Sequence, residues 1–164
     1  MRKEVLGIDI GGVIIDRVKN DGTDTSFFTD NYLNTSAVLG AFDAINSLVA
    51  EKFKGNVHLV SKCGATVEAK TLHWLQHQRF YEIALVLPDH VHFCRERHQK
   101  AGICEGLGIT HFIDDRLEVL SYLTSVENRF LFQPSPNEIR RYAQHLPRVY
   151  RVESWEEVTR ALLL

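Results

Sequence analysis

Six short apolar runs alternate along the chain with longer segments whose apolar residues recur every three or four positions. A continuous apolar run of this length is typical of a strand that is buried on both faces of a parallel sheet. The alternation predicts an α/β fold, a doubly wound parallel sheet with helices on both faces in three α/β/α layers. The predicted strands are Val5–Ile10, Val57–Val60, Val91–Cys94, His111–Ile113, Arg129–Phe132 and Val149–Val152.

The segments between these strands have the apolar spacing of amphipathic helices. In the longest, Ser36–Phe53, an apolar stripe that includes Leu39 predicts one continuous helix. Thr35 or Ser36 can cap its start, and Gly55 can end it. The other predicted helices are Thr66–Arg79, Gln99–Leu107, Leu117–Leu123, Asn137–His145 and Trp155–Leu163.

The length of 164 residues fits a single domain over residues 1–164, and the polar stretch at about 16–35 predicts a small flap or cap inserted in it. A net charge of −2 argues against nucleic acid or an anionic membrane surface as a partner held by bulk charge. No apolar run approaches the length of a membrane span, and the first residues do not fit a secretory signal. We therefore expect a cytoplasmic protein with three reduced cysteines. No pattern indicates an oligomeric state.

Polar residues that could take part in catalysis or ligand binding follow the predicted strands. Asp9 follows the first strand, Ser61 the second, and Asp114 with Asp115 a later one, while Lys100 begins the helix before that strand. In open α/β sheets, sites form beyond the carboxyl ends of the strands. Carboxylates suit Mg²⁺, a hydroxyl and an ammonium can hold phosphate oxygens, and a carboxylate that faces phosphorus can attack it.

Four motifs in this order resemble those of the haloacid dehalogenase (HAD) superfamily: VLGIDIGGVIID, LVSKCG, a lysine and HFIDDR. The resemblance runs over nearly the whole chain. It implies that Asp9 is the nucleophile and forms an aspartyl-phosphate. It also implies that Ser61, Lys100 and Gly12 hold the phosphoryl group, with Lys100 counted among the catalytic residues.

The resemblance further implies a Mg²⁺ site. Its ligands would be the carboxylates of Asp9, Asp114 and Asp115 and the backbone carbonyl of Gly11. The implied activity is that of a Mg²⁺-dependent phosphohydrolase or phosphotransferase acting on a small phosphorylated molecule.

One position departs from the family pattern. Phosphatases of the family usually carry a second aspartate two residues after the nucleophile, as general acid and base, and this chain has Gly11 there. Proton transfer of that kind contributes roughly 10²–10⁴-fold to a rate. The alternative function is therefore a catalytically impaired protein that binds a phosphorylated ligand or a protein partner. Asp16 is the candidate to replace the missing acid.

Structural explanations remain open for each motif residue. Asp9 can stabilise a turn, Ser61 can cap a helix, and Asp114 with Asp115 can do the same. Lys100 can be a solvated surface residue, with Arg97 as a competing phosphate ligand.

Other polar groups are weaker candidates. His73 and His77 have the i, i+4 spacing of metal ligands, without an evident third ligand. The stretch His90–His98 is rich in histidine and includes Cys94, but no partner pair accompanies it. Cys63 beside Ser61 fits a small packed side chain better than a nucleophilic thiol.

Overall fold

In a computed structural model, residues 2–16, 27 and 29–164 are described. These residues form a six-stranded sheet in which every neighbouring pair is parallel. The strands are β1 (Leu6–Ile8), β2 (Val57–Lys62), β3 (Val91–Cys94), β4 (His111–Asp114), β5 (Asn128–Phe132) and β6 (Tyr150–Val152). All six predicted strands are present, and the doubly wound α/β fold is confirmed.

The strand order is β3-β2-β1-β4-β5-β6, so the chain builds outward from β1 first on one side and then on the other. Beyond β1 and β4 the connections diverge, and a crevice opens at the carboxyl ends of these two strands. The topology alone therefore places the site next to the first residues after β1.

Helices cover both faces of the sheet. The described helices are α1 (Ala41–Leu48), α2 (Ala65–His77), α3 (Phe80–Ala84), α4 (Lys100–Leu107), α5 (Leu117–Tyr122), α6 (Pro136–Arg141) and α7 (Trp155–Leu163). One hydrophobic cluster packs one face of the sheet against side chains from α1, α2, α3 and α7, and a second packs the other face against α4 and α5. None of the helices in the described part of the chain is long and apolar enough to span a membrane.

The start of the longest predicted helix is wrong. Residues 36–38 are extended, because the Asp16 N–H donates to the Ser36 carbonyl and the Val38 N–H donates to the Ile14 carbonyl. Gly40, in the left-handed region at φ 77°, then turns the chain into α1. Leu39 lies in this turn and is 92% exposed, so it does not belong to the buried stripe.

Two other helical regions differ from the prediction. The predicted helix Thr66–Arg79 corresponds to α2, and α3 was not predicted; Arg79 adopts a left-handed φ of 57° between them, so the chain turns there. The predicted helix Asn137–His145 is instead α6 followed by the 3₁₀ segment Ala143–Arg148, which contains Pro147. A proline cannot donate the helical hydrogen bond, and this favours the irregular ending.

The predicted flap at 16–35 lies partly outside the described residues, which omit 17–26 and 28. Its described end contains the 3₁₀ turn Tyr32–Asn34. Three residues of α2 on one helical face hold this end. The Lys70 ammonium donates to the carbonyls of Phe27 and Thr29. His73 Nδ1 lies 2.6 Å from the Tyr32 hydroxyl. The Trp74 indole donates to the Thr35 carbonyl.

Gly7 occupies the tightest point of the sheet. A Cβ on this residue would lie 2.5 Å from Cδ2 of Phe112 and 2.9 Å from Cδ1 of Ile109. We predict that Gly7→Ala destabilises the protein by about 1–3 kcal/mol, because the buried Phe112 ring has little room to move. Gly106→Ala in α4 is the control, since its Cβ would meet nothing within 4 Å. It should stabilise the helix by about 0.5–1 kcal/mol. Urea unfolding measures both, and equal stabilities of Gly7→Ala and wild type would contradict the packing.

Candidate active site

A cavity of about 490 Å³ lies at the carboxyl ends of β1, β2 and β4. The sequence-predicted site residues all line it, although they come from four separate parts of the chain. They are Asp9, Gly11, Gly12, Ser61, Lys100, Asp114 and Asp115, and Asp16 and Arg97 line it as well. The structure therefore brings the candidates together at one edge of the sheet.

The register of β1 and β4 places two carboxylates side by side. Ile8 pairs with Ile113, so the next residues, Asp9 and Asp114, leave neighbouring strands at the same level. The Asp9 N–H donates to the Ile113 carbonyl at 2.9 Å and continues the ladder. Adjacent strands are only about 4.8 Å apart, so the two carboxylates are forced close together.

Lys100 enters this pair from the other side. Its ammonium lies 3.0 Å from Oδ1 of Asp9 and 2.9 Å from Oδ2 of Asp114, and the residue is only 2% exposed. The reading of Lys100 as a solvated surface lysine is therefore wrong. A charged group this deep requires partners of opposite charge, and the two carboxylates supply them.

A capping box holds Lys100 in position. Glu96 accepts a hydrogen bond from the Gln99 N–H, and Gln99 Oε1 accepts from the Glu96 N–H at 2.9 Å. This closes the turn after β3 and begins the 3₁₀ segment Arg97–Gln99, which leads directly into α4 at Lys100. The sequence did not indicate this capping box, because Glu is not among the residues that usually cap a helix start.

Three carboxylates form one cluster. Asp9, Asp114 and Asp115 each offer an oxygen within 4.8 Å of the others. Asp114 is fully buried, and the Arg116 N–H donates to its Oδ1 at 2.9 Å, which fixes its orientation. With all groups ionised, the cluster and the single ammonium of Lys100 leave a formal charge of −2.

The buried charges shift one another's titration. Burial raises the pKa of the Asp114 carboxyl to about 6. The positive charge of Lys100 opposes this rise, and the negative charge of Asp115 adds to it. Burial and the neighbouring Asp114 raise the pKa of Asp9 well above its usual range, although Lys100 opposes the shift. Burial works against the charge of Lys100, but attraction to the two carboxylates prevails and raises the pKa of its ammonium. The three carboxylates therefore carry more negative charge than the Lys100 ammonium offsets, and a cation would balance the excess.

The first turn after β1 shapes the cavity floor. The N–H groups of Val13, Ile14 and Ile15 all donate to the Ile10 carbonyl, and the Gly12 N–H donates to the Ile15 carbonyl at 2.8 Å. Gly12 has a φ of 80°, which side chains rarely adopt. Because its N–H is engaged, Gly12 contributes space for a ligand rather than an amide donor.

Gly11 differs from Gly12. Its φ lies outside the left-handed region, and a Cβ there would meet nothing within 4 Å. The backbone would therefore accept an aspartate without strain. The Gly11–Ile15 bridge also brings Asp16, the next residue, alongside the Gly11–Gly12 turn at the cavity wall.

The remaining candidate residues, Ser61, Arg97 and Cys63, differ in how well their surroundings suit a site residue. Ser61 lies near the end of β2 and is buried at the cavity. Arg97 also reaches the cavity, but its guanidinium donates to Oε2 of Glu118 at 3.2 Å. Burial, reinforced by Glu68, raises the pKa of the Cys63 thiol, which is the opposite of what a thiolate nucleophile needs.

No protein-family model and no curated protein sequence matches the chain. Its structure matches that of a HAD family hydrolase from Deinococcus radiodurans R1 with a TM-score of 0.66, over 98% of this chain and 95% of that one. The two sequences are 13% identical, so the likeness concerns the fold. That crystal structure contains bound phosphate and sodium. The chain thus has the haloacid dehalogenase-like fold that its ordered motifs predict.

We predict that Mg²⁺ raises the melting temperature of the protein and that Asp114→Asn abolishes the rise. At 100 times the dissociation constant, binding adds about 2.7 kcal/mol of stability. Asp43→Asn is the matched control, because Asp43 is an exposed carboxylate on α1. A protonated carboxyl is a poor ligand, so the affinity should rise as the pH is raised through about 6, the pKa of Asp114. An unchanged Mg²⁺ effect in Asp114→Asn would remove this residue from the site.

We also predict that Lys100→Met weakens the binding of phosphate or vanadate while Mg²⁺ still binds. The substitution removes a cation from beside the carboxylates, so Mg²⁺ affinity should hold or increase. Lys62→Met is the control, since Lys62 lines the same cavity but is exposed. Isothermal titration with each ion separates the effects. A greater loss of anion affinity in Lys62→Met would assign the anion to the other lysine.

Proposed function

We propose that this protein is a Mg²⁺-dependent phosphohydrolase or phosphotransferase that uses Asp9 as its nucleophile on a small phosphorylated molecule. One observation carries the proposal, which is the contact of the Lys100 ammonium with both Asp9 and Asp114 at the wall of one cavity. That contact joins a candidate nucleophile, a candidate metal ligand and a phosphate-binding cation in a single site.

The donor set fits Mg²⁺. It consists of carboxylate oxygens, which this hard cation prefers, and its formal charge of −2 matches a divalent ion. Octahedral Mg²⁺ with bonds of about 2.1 Å separates its ligand oxygens by roughly 3–4.2 Å, and the three carboxylates already offer oxygens within 4.8 Å. Asp9, Asp114, Asp115 and the Gly11 carbonyl would hold the ion, which when bound would neutralise charge on the transferring phosphoryl group.

Phosphate is the ligand class that the surroundings favour. The hydroxyl of Ser61 and the ammonium of Lys100 are donors at the same cavity, and donors of these types bind phosphate oxygens. The Deinococcus hydrolase, which shares the fold, binds phosphate together with a cation. This supports an anion and a metal ion as joint occupants.

The chemistry then takes two steps. An Asp9 carboxylate oxygen attacks phosphorus, the bond from phosphorus to the leaving oxygen breaks, and its electron pair departs with that oxygen. Water or an acceptor alcohol then attacks the phosphorus of the acyl phosphate, its proton passes to the Asp16 carboxylate or to solvent, and the bond from phosphorus to Asp9 breaks to release the carboxylate. Lys100 orients Asp9 before the first step and faces the added negative charge during it.

Proton transfer decides which substrates react. A poor alkoxide leaving group needs a proton donor, whereas an aryl oxide or a carboxylate leaves without one. Gly11 has no side chain for this purpose. Asp16, which lines the cavity beside the Gly11–Gly12 turn, is the carboxylate placed to substitute.

We predict that the wild type hydrolyses acetyl phosphate and p-nitrophenyl phosphate faster than glycerol phosphate. Gly11→Asp should raise turnover of glycerol phosphate the most, by up to roughly 10²-fold, since this substrate has the poorest leaving group. Phosphate release in Mg²⁺ measures all three substrates, and Asp9→Asn should be inactive on each.

The outcomes also distinguish the two functions. High wild-type activity on glycerol phosphate that Asp16→Asn removes, while p-nitrophenyl phosphate turnover survives, would make Asp16 the acid. A wild type and a folded Gly11→Asp variant that bind phosphate but release none from any substrate would contradict the enzyme proposal. The protein would then be a phosphate-binding member of the fold.

A further inference from the structure

Three histidines meet on one face of β2 and β3, where the proposed function makes no use of them. His58 belongs to β2, His92 to β3, and His90 directly precedes β3. The parallel register pairs Leu59 with Val91, so His58 faces His90 across the two strands, and the period of two places His92 on the same face. All three side chains are half-buried, so solvent reaches them.

The rings make close contacts. His58 Nδ1 lies 3.0 Å from His92 Nε2, and the His58 and His90 rings stack with centroids 4.1 Å apart. Only one proton can lie between the facing nitrogens, so the ring that accepts it is neutral and has its lone pair on the facing nitrogen. Burial and the neighbouring His90 and His92 lower the pKa of His58 to about 4, and burial lowers the pKa of His92.

A backbone group sets the tautomer of the third ring. His90 Nδ1 lies 3.0 Å from the Val57 carbonyl oxygen, and a carbonyl only accepts, so this nitrogen carries the proton. The lone pair of His90 is therefore on Nε2.

We propose that His58 and His92, with His90 as a third ligand, bind a transition-metal ion of the Zn²⁺ class at the β2–β3 edge of the sheet. Tetrahedral Zn²⁺ with bonds of about 2.0–2.1 Å separates two nitrogens by about 3.3 Å, so the facing pair needs to open by only a few tenths of an ångström. Imidazole nitrogen binds Zn²⁺, Cu²⁺ and Ni²⁺ far better than Mg²⁺, so the histidine site and the carboxylate site prefer different ions.

Binding requires two local adjustments. The proton between His58 and His92 moves to the far nitrogen of its own ring, so each ring stays neutral and no net proton is released. His90 has to give up its contact with the Val57 carbonyl and its stacking on His58 to bring Nε2 in, because within the described residues only the Asp9, Asp114 and Asp115 set has three ligand atoms already within 4.8 Å. Water completes the coordination. Lys3 lies close enough for its charge to disfavour a cation on His58.

Titration of the full chain with Zn²⁺ in excess Mg²⁺ tests the proposal. We expect His58→Gln and His92→Gln each to weaken Zn²⁺ by roughly tenfold or more, and Lys3→Gln to strengthen it. His77→Gln is the control for the i, i+4 pair on α2, and Asp114→Asn is the control for Zn²⁺ held by the carboxylates. Both controls should leave this affinity unchanged.

A second measurement uses the wild type alone and does not depend on how the variants fold. In histidine side-chain ¹H–¹⁵N spectra, Zn²⁺ should shift His58 Nδ1 and His92 Nε2 first. Shifts confined to His73 and His77, an affinity that survives His58→Gln, or no Zn²⁺ binding would each overturn the proposal. Because the assay measures no phosphate chemistry, its result is independent of the proposed function.

Discussion

The buried contact of Lys100 with Asp9 and Asp114 is the interaction on which the rest of the site depends. Two carboxylates at the ends of adjacent strands repel each other, and burial adds to the cost of their charge. The ammonium offsets part of this cost, and it in turn is held by a capping box one turn away. Removing Lys100 would leave two buried carboxylates without the cation that offsets their charge, a change of the kind that costs about 3–5 kcal/mol.

This arrangement has a consequence for function. Three carboxylates carry more negative charge than one ammonium neutralises, so the folded protein without metal has an excess of negative charge at this point. A cation bound among these carboxylates would relieve their mutual repulsion. Burial, with Lys100 opposing it and Asp115 adding to it, raises the pKa of Asp114 to about 6, so this carboxyl titrates near neutral pH.

Much of the fold and of the site could be predicted from the sequence because both follow local rules. Short apolar runs alternate with helical segments, and parallel strands end at one edge, so Asp9, Ser61 and Asp114 had to converge near the same crevice. The departures arise where a single residue overrides periodicity. Gly40 turns the chain before α1 and leaves Leu39 exposed, and Pro147 lies in the 3₁₀ segment that follows α6.

Non-local contacts set the limit of that prediction. His90 and His92 stand out in the sequence, but their partner His58 is more than thirty residues away, and only the β2–β3 register joins them. His73 likewise contacts the Tyr32 hydroxyl, and its spacing from His77 does not predict this contact. The depth of Lys100 could not be predicted either, because it depends on how α4 packs on β2 and not on the residues beside it.

The central claim is that Asp9 becomes phosphorylated. The most direct measurement is to mix the protein with Mg²⁺ and acetyl phosphate, quench with acid, reduce with borohydride and sequence the peptides by mass spectrometry. An aspartyl-phosphate is reduced to homoserine, so the account predicts homoserine at position 9 and nowhere else, with none in Asp9→Asn. Phosphate release without homoserine at position 9, or homoserine at Asp16 or Asp114 instead, would contradict it.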